Sequence, residues 1–329
     1  MCNTPILLIT FNRPNHTRKV LETIMAAQPK VLYVFQDGAR EGNESDMEKC
    51  EEVRQVVEDL TKETQVELHT HYSKRNLGCG AGPMTGITWF FSQEERGIVI
   101  EDDCLPHPDF FGYCEELLSR YEDVDQVRFI SSTLYNERWQ CKESYGFSHY
   151  MVTGAWAGWK RSWQSFDLDL RSLNAKKFRK HVMELTDNRA EANWWFSIVK
   201  EIQQDESKKS YWDYQMQIHL FRNNALTIHP QRNLVSNIGF DGEATHTLTN
   251  ADSQGDKPVF PILPLVHPES MDVDKKRDAY CWAKARNSGW LKDEISYLYN
   301  DLLWSKGLGH SVLMMYKKLR GKGVNSKKV

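Results

Sequence analysis

The sequence predicts an α/β protein whose mainly parallel sheet is covered on both faces, and three observations carry that reading. Short apolar runs alternate with amphipathic stretches from Pro5 to Ile100, and each run ends in polar, turn-prone residues. The fourth run, Ile98 to Ile100, is β-branched, as in a strand buried on both faces, and leads directly into three acids, Glu101, Asp102 and Asp103.

The elements follow in order. Ile6 to Phe11 reads as a strand, Pro14 to Ala27 as a helix, Val31 to Phe35 as a strand, and Ser45 to Thr64 as a helix opened by the capping box Ser45-x-x-Glu48. Val66 to Tyr72 is a third strand, Pro83 to Gln93 a third helix and Gly97 to Ile100 the fourth strand. Pro106 and Pro108 stop that strand, and Pro108 is placed to begin a helix from Asp109 to Tyr121. One more strand, Val127 to Ser132, ends the alternation.

From Thr133 the chain is aromatic and irregular, and Met151 to Trp163 is its densest part. Gly154 and Gly158 among three Trp imply tight turns or close backbone approach there. Helices are expected at Ala175 to Leu185, Ala190 to Gln204 and Trp212 to Arg222, and strands near Ala225 to His229 and Asn233 to Ser236. Pro258 to Pro268 is too proline-rich for an interior strand. The expected organisation is an alternating α/β half over 1–132, a less regular and more helical half over 133–270, and a helical extension with a basic tail over 271–329.

Composition narrows the function classes. The 329 residues, 40% hydrophobic, are enough to bury a large core. A formal charge of -3 argues against a nucleic-acid partner, which would need a basic field. Seven scattered Cys without C-x-x-C spacing favour free thiols in a reducing compartment over a disulfide or zinc framework. Pro5 to Phe11 is too short for a secretory core and lacks a basic leader, and no run approaches the ~20 apolar residues of a membrane span. A cytoplasmic location is the expectation.

Three carboxylates at the end of a buried strand need positive charge beside them. A hard divalent cation, Mg²⁺ or Mn²⁺, takes oxygen ligands and keeps positions for water and substrate phosphates. In open α/β sheets ligands gather beyond the carboxyl ends of strands, where Asn12-Arg13, Gln36-Asp37-Gly38 and Arg75 to Gly80 would converge with the acids. The plain alternative is a solvated acidic turn. His69 and His71 share one face of the third strand, as a metal pair or as exposed strand histidines. Trp156, Trp159, Trp194, Trp195 and Trp212 offer flat faces to a sugar, although most belong in the core.

Pro5-Ile-Leu-Leu-Ile-Thr-Phe-Asn-Arg13, Phe35-Gln-Asp-Gly38, Val99-Ile-Glu-Asp-Asp103 and Pro108-Asp-Phe-Phe111 together resemble the GT-A nucleotide-sugar glycosyltransferases. The N-acetylglucosaminyltransferase I type and its bacterial relatives look most similar. The resemblance continues through Gly154 to Trp159, Trp212-Asp213 and Ser236 to His246, covering residues 5 to 250. It implies a GT-A fold and an inverting, metal-dependent transfer of a sugar, N-acetylglucosamine by resemblance, from a UDP-sugar to a glycan or lipid-linked glycan hydroxyl.

Position by position, the resemblance gives Asp103 to the metal and Glu101 and Asp102 to the donor's ribose and sugar. The usual pattern is Asp-x-Asp, and here it is Glu-Asp-Asp. Arg13 and Asp37 match positions that hold the nucleotide base; alone, they read as a helix-start residue and a turn former. Arg75 and Asn76 would face the diphosphate or sugar from a loop that Gly78, Gly80 and Gly82 allow to close, or belong to a plain surface turn. Asp213 matches the catalytic base, against a plain role as a helix N-terminal acid. His246 would touch phosphate or metal from a loop covering the donor, or stand as a solvated loop histidine.

Two rival readings remain from the sequence. A sugar-nucleotide pyrophosphorylase shares the α/β frame but needs a glycine-rich phosphate loop after the first strand, and Thr10-Phe-Asn-Arg-Pro14 has no glycine. A catalytically inactive glycan-binding protein would not need Glu-Asp-Asp together with Asp213. Val312, Met315 and Leu319 recur at helical spacing beside Lys317, Lys318, Arg320 and Lys322, the pattern of a helix in peripheral contact with an anionic membrane or of a packed helix with a basic tail.

Overall fold

The structure is a computed structural model that describes residues 1–134, 142–164, 166–205, 212–239, 257–275, 278, 279 and 282. Its elements are β1 (Ile6–Thr10), α1 (Pro14–Ala26), β2 (Val31–Gln36), α2 (Glu44–Thr61), β3 (Glu67–Tyr72), α3 (Gly78–Gln93), β4 (Arg96–Glu101), β5 (Cys104–Pro106) and α4 (Asp109–Arg120). They continue as β6 (Val127–Ser131), β7 (Tyr145–Ser148), β8 (Ala155–Trp159), α5 (Lys160–Trp163), α6 (Ala175–Thr186), α7 (Arg189–Gln204), α8 (Trp212–Arg222), β9 (Leu226–Pro230) and β10 (Val235–Asn237). Two compact units result, one of Met1–Leu168 with Ser210–Asp278, the other of Asp169–Lys209 with Ala279–Val329.

The first unit holds an eight-stranded sheet ordered β3-β2-β1-β4-β8-β6-β9-β7. Its strands run in one direction except β7 and β8, which are antiparallel to their neighbours. The expected class is therefore present: an α/β, Rossmann-like fold with a mainly parallel sheet. Alternate residues of β1 feed opposite faces, as strand geometry requires. Ile6 and Leu8 join a cluster with Val34, Ile98 and Phe110, while Leu7 and Ile9 join one with Phe35, Phe90 and Trp156. Burying such a side chain is worth roughly 1.5–3 kcal/mol. Both expected halves supply this sheet, β1 to β4 and β6 from the first, β7 to β9 from the second. In the second unit α6 and α7 bury Phe178, Val182, Trp195 and Phe196, and Arg179 Nε donates to Asn193 Oδ1 at 2.7 Å.

Several local readings need correction. α2 is capped by Asn43, whose side chain accepts from Asp46 N, so Ser45 and Glu48 form no capping box. α3 begins at Gly78, leaving Pro83 inside it and Gly78, Gly80 and Gly82 in its first turns rather than in a closing loop. The cause is a cap from another element: the Asp37 carboxylate accepts Leu77 N at 2.8 Å and Gly78 N at 2.9 Å, satisfying amides that the local sequence leaves bare. The Trp-rich stretch, expected to be irregular, contains the fully buried strand β8 between β4 and β6. Strands β5 and β7 are also additional. Among the described residues no helix is long and apolar enough to cross a membrane. The basic tail lies outside the described residues, as does most of the extension.

Candidate active site

β1 pairs with β2 on one side and β4 on the other, so successive connections leave β1 in opposite directions and open a crevice at its carboxyl end. Register brings Thr10 beside Gln36 and Ile9 beside Glu101, which levels the strand ends at that edge. A cleft of about 400 Å³ lies there, with Ile9 and Phe35 in its apolar lining and the three acids, Arg13, Asp37, Arg40 and Asn76 among its polar groups.

Each acid is held differently. Glu101 ends β4, and its N–H donates to Gly154 O at 2.8 Å. Gly154 sits at φ 103°, a conformation that side chains disfavour, and a Cβ there would strike Cys104 Sγ. Asp102 is buried, and its Oδ2 accepts Phe11 N–H at 3.2 Å. Asp103 Oδ2 accepts Arg13 Nη1 at 3.0 Å, while its carbonyl accepts Ile238 N–H at 2.8 Å. β10 pairs antiparallel with β5 and so brings Asn237 to Gly239 over the acids. A side chain at Gly239 would overlap the Asp103 carboxylate.

The electrostatics follow from this crowding. Burial, then the charges of Asp103, Asp102 and Asp213, push the Glu101 carboxyl well above its ordinary range. Burial and the Asp103 charge push Asp102 up to about 7, against the lowering effects of Arg13 and the Phe11 amide. Desolvation and mutual repulsion thus disfavour full ionisation of the cluster.

Arg13 is the N-cap residue of α1; it lines the cleft, and its guanidinium reaches Asp103. Asp37 is surrounded by donors: Gly38 N at 2.9 Å, Leu77 N, Gly78 N, and Asn76 Nδ2 at 3.2 Å. Burial raises its pKa while these amides lower it. Asn76 also donates to Gly38 O at 2.8 Å, so it braces the loop that lines the cleft. Arg75 is exposed and does not line the cleft.

Asp213 stands in the first turn of α8, where burial raises its pKa and the Tyr214 amide lowers it. It does not line the cleft, yet its charge reaches Glu101. His246 lies outside the described residues. Among the tryptophans, Trp156, Trp159, Trp195 and Trp212 are buried, so these four are core and wall no sugar; Trp156 stacks on Phe129 with centroids 4.4 Å apart. His69 stacks on Tyr33 at 4.6 Å and His71 packs edge-on against Trp89, an aromatic surface rather than a metal pair.

Arg40 is a cleft residue that sequence reasoning missed. It lies in a turn without periodicity, and its partner Asp46 reads from sequence only as a first-turn acid of α2.

The carboxylates fit a hard divalent cation in donor type. Among the described residues no three His, Cys, Asp or Glu side chains converge as a ready cage. Such cations are commonly held by one or two carboxylates, with waters and substrate phosphates completing the shell. Asp103, turned to Arg13, is the acid placed nearest β10.

No protein-family model matches the chain, and no curated protein matches it by sequence. Solved structures with a similar course include a UDP-glucose pyrophosphorylase complexed with UDP-glucose, at 12% identity and TM-score 0.30 over 50% of this chain and 78% of that one. An apo UDP-glucose pyrophosphorylase gives 11% and 0.36 over 71% and 93%. A putative glucose-1-phosphate thymidylyltransferase from Bacillus anthracis gives 16% and 0.30 over 59% and 82%.

Proposed function

We propose that the chain is a nucleotide-sugar-dependent glycosyltransferase that uses a divalent cation, Mn²⁺ or Mg²⁺, and transfers with inversion from a UDP-sugar to a glycan or lipid-linked glycan hydroxyl. The observation that carries the reading is the cluster Glu101-Asp102-Asp103, crowded at the carboxyl end of β4 beside the strand-order reversal and within the field of Asp213. In this reading Asp103 holds the cation and Glu101 and Asp102 face the donor sugar and ribose. A bound cation would neutralise the diphosphate leaving group. Asp213 takes the proton of the acceptor hydroxyl, and its desolvated carboxyl has the raised basicity that this role requires. Asp37 and Asn76 shape the donor cleft through the loop they brace.

Nucleotidyl transfer to a sugar phosphate is the competing reading. Such a site needs free amides in the turn after β1, and here the Phe11 amide is taken by Asp102. Calorimetry with UDP, UDP-sugars and Mn²⁺ tests the proposal: metal-dependent UDP binding is expected in the wild type and lost in Asp103→Ala. Unchanged binding in that variant refutes the assignment of Asp103. Pyrophosphate release from UTP and a sugar 1-phosphate, without sugar transfer, would replace the proposal by the competing reading.

A further inference from the structure

We infer that Arg13 is the resident counter-ion of the carboxylate cluster and competes with a divalent cation for Asp103, which makes cation and nucleotide binding mutually dependent. The inference rests on the reading of the cluster as a cation site.

The geometry is specific. Arg13 precedes α1 but makes no side-chain cap bond to that helix; its guanidinium instead crosses to the turn between β4 and β5. Nη1 meets Asp103 Oδ2 at 3.0 Å, with the two side chains only 13% and 20% exposed. The Gly239 backbone crowds the same oxygen, and a Cβ built there would come within 3.1 Å of Nη1 as well. Asp103 Oδ2 is therefore enclosed between a guanidinium and a backbone segment tied down by Ile238 N–H on Asp103 O and by His16 Nε2 at Ile238 O, 3.1 Å away.

A cation held by Asp103 would stand beside the guanidinium and be repelled by it. Binding the cation alone thus means separating a largely enclosed ion pair and setting the cation beside the guanidinium's charge. A diphosphate changes the balance, because its oxygens offer Arg13 a replacement partner that matches the guanidinium fork. Arg13 then passes from one anion to another while the cation takes Asp103. The coupling is reciprocal: the nucleotide tightens the cation, and the cation tightens the nucleotide by the same factor.

Titration calorimetry of the full chain with Mn²⁺, with and without saturating UDP, tests this in the wild type, Arg13→Gln and Arg13→Lys, with circular dichroism to confirm folding. Arg13→Gln is expected to bind Mn²⁺ alone roughly tenfold more tightly than the wild type, within the usual range of coupling factors, and to bind UDP more weakly. Without ligand its melting temperature should be lower, and Mn²⁺ should restore more of it than in the wild type. Arg13→Lys, which keeps the charge and loses the fork, should fall between the two in affinity for Mn²⁺ alone. Arg13→Gln binding Mn²⁺ alone no more tightly than the wild type overturns the inference while leaving the cation site in place. A wild type that binds no Mn²⁺ even with UDP overturns the cation-site reading and this inference with it.

Discussion

Asp46 grips Arg40 with both carboxylate oxygens, Oδ2 accepting Nε at 2.5 Å and Oδ1 accepting Nη2 at 2.8 Å. The same carboxylate accepts Asn12 Nδ2 at 2.8 Å, so one buried acid fastens the turn after β1 to the turn after β2 at the mouth of the cleft. Hydrogen bonds from Arg40 hold the Asp46 carboxyl down at about 2. That value lies below the roughly 3.9 of an unfolded aspartate, so the contribution is complete above that pH and is lost as pH falls toward 2. Asp46→Asn should cost roughly 1–2 kcal/mol near neutrality, the guanidinium being half exposed. Urea denaturation should show the gap to the wild type closing as pH falls from about 4 to about 2. A constant gap across that range would assign the stabilisation to shape rather than charge.

His219 carries a pH dependence in a different window. Burial, with smaller contributions from Arg222 and Arg128, lowers its pKa to about 4, so the folded protein holds it neutral where the unfolded chain, near 6.5, protonates it. Stability is complete above the unfolded value and is lost as pH falls through 6.5 toward 4. The wild type should lose about 2 kcal/mol from this residue between about pH 7.5 and pH 5. His219→Phe, which keeps a ring beside Phe166, should lose less over the same interval. Equal slopes for the two proteins would exclude His219 as the source.

The acids and the parallel frame were legible in the sequence because both rest on local pattern. Apolar runs such as Ile98 to Ile100 announce buried strands, and carboxylates at a strand end fall where ligands gather. The start of α3 was not legible, because its cap comes from Asp37 at the end of β2, 40 residues from Leu77. β8 was hidden because every residue from Ala155 to Trp159 is buried, which erases the alternation by which a half-exposed strand is read. Arg13 shows the same limit within the site: its place before Pro14 indicates a helix start, while its pairing with Asp103 depends on β1 and β4 being neighbours. Arg40 carries no sequence signal, since it acquires meaning only through Asp46 on the next helix.

Asp213 supplies the most discriminating prediction. As a helix N-terminal acid it would complement the α8 dipole, and Asn would replace it at a cost of a few tenths of a kcal/mol, about the size of such surface interactions. As a general base it would lose its function entirely in Asn, which keeps the shape and accepts no proton at working pH. Burial raises its pKa, and its charge acts on Glu101. Asp213→Asn is therefore expected to lower turnover by about 10²–10⁴-fold, the usual contribution of a positioned base. UDP affinity in the presence of Mn²⁺ should stay nearly constant, because in the proposed mechanism the carboxylate acts on the acceptor. Single displacement also fixes stereochemistry, so NMR of the first product formed should show inversion at the anomeric carbon. Full turnover in Asp213→Asn would reduce the residue to its helix-start role, and retention of configuration would exclude direct displacement by an acceptor that it deprotonates.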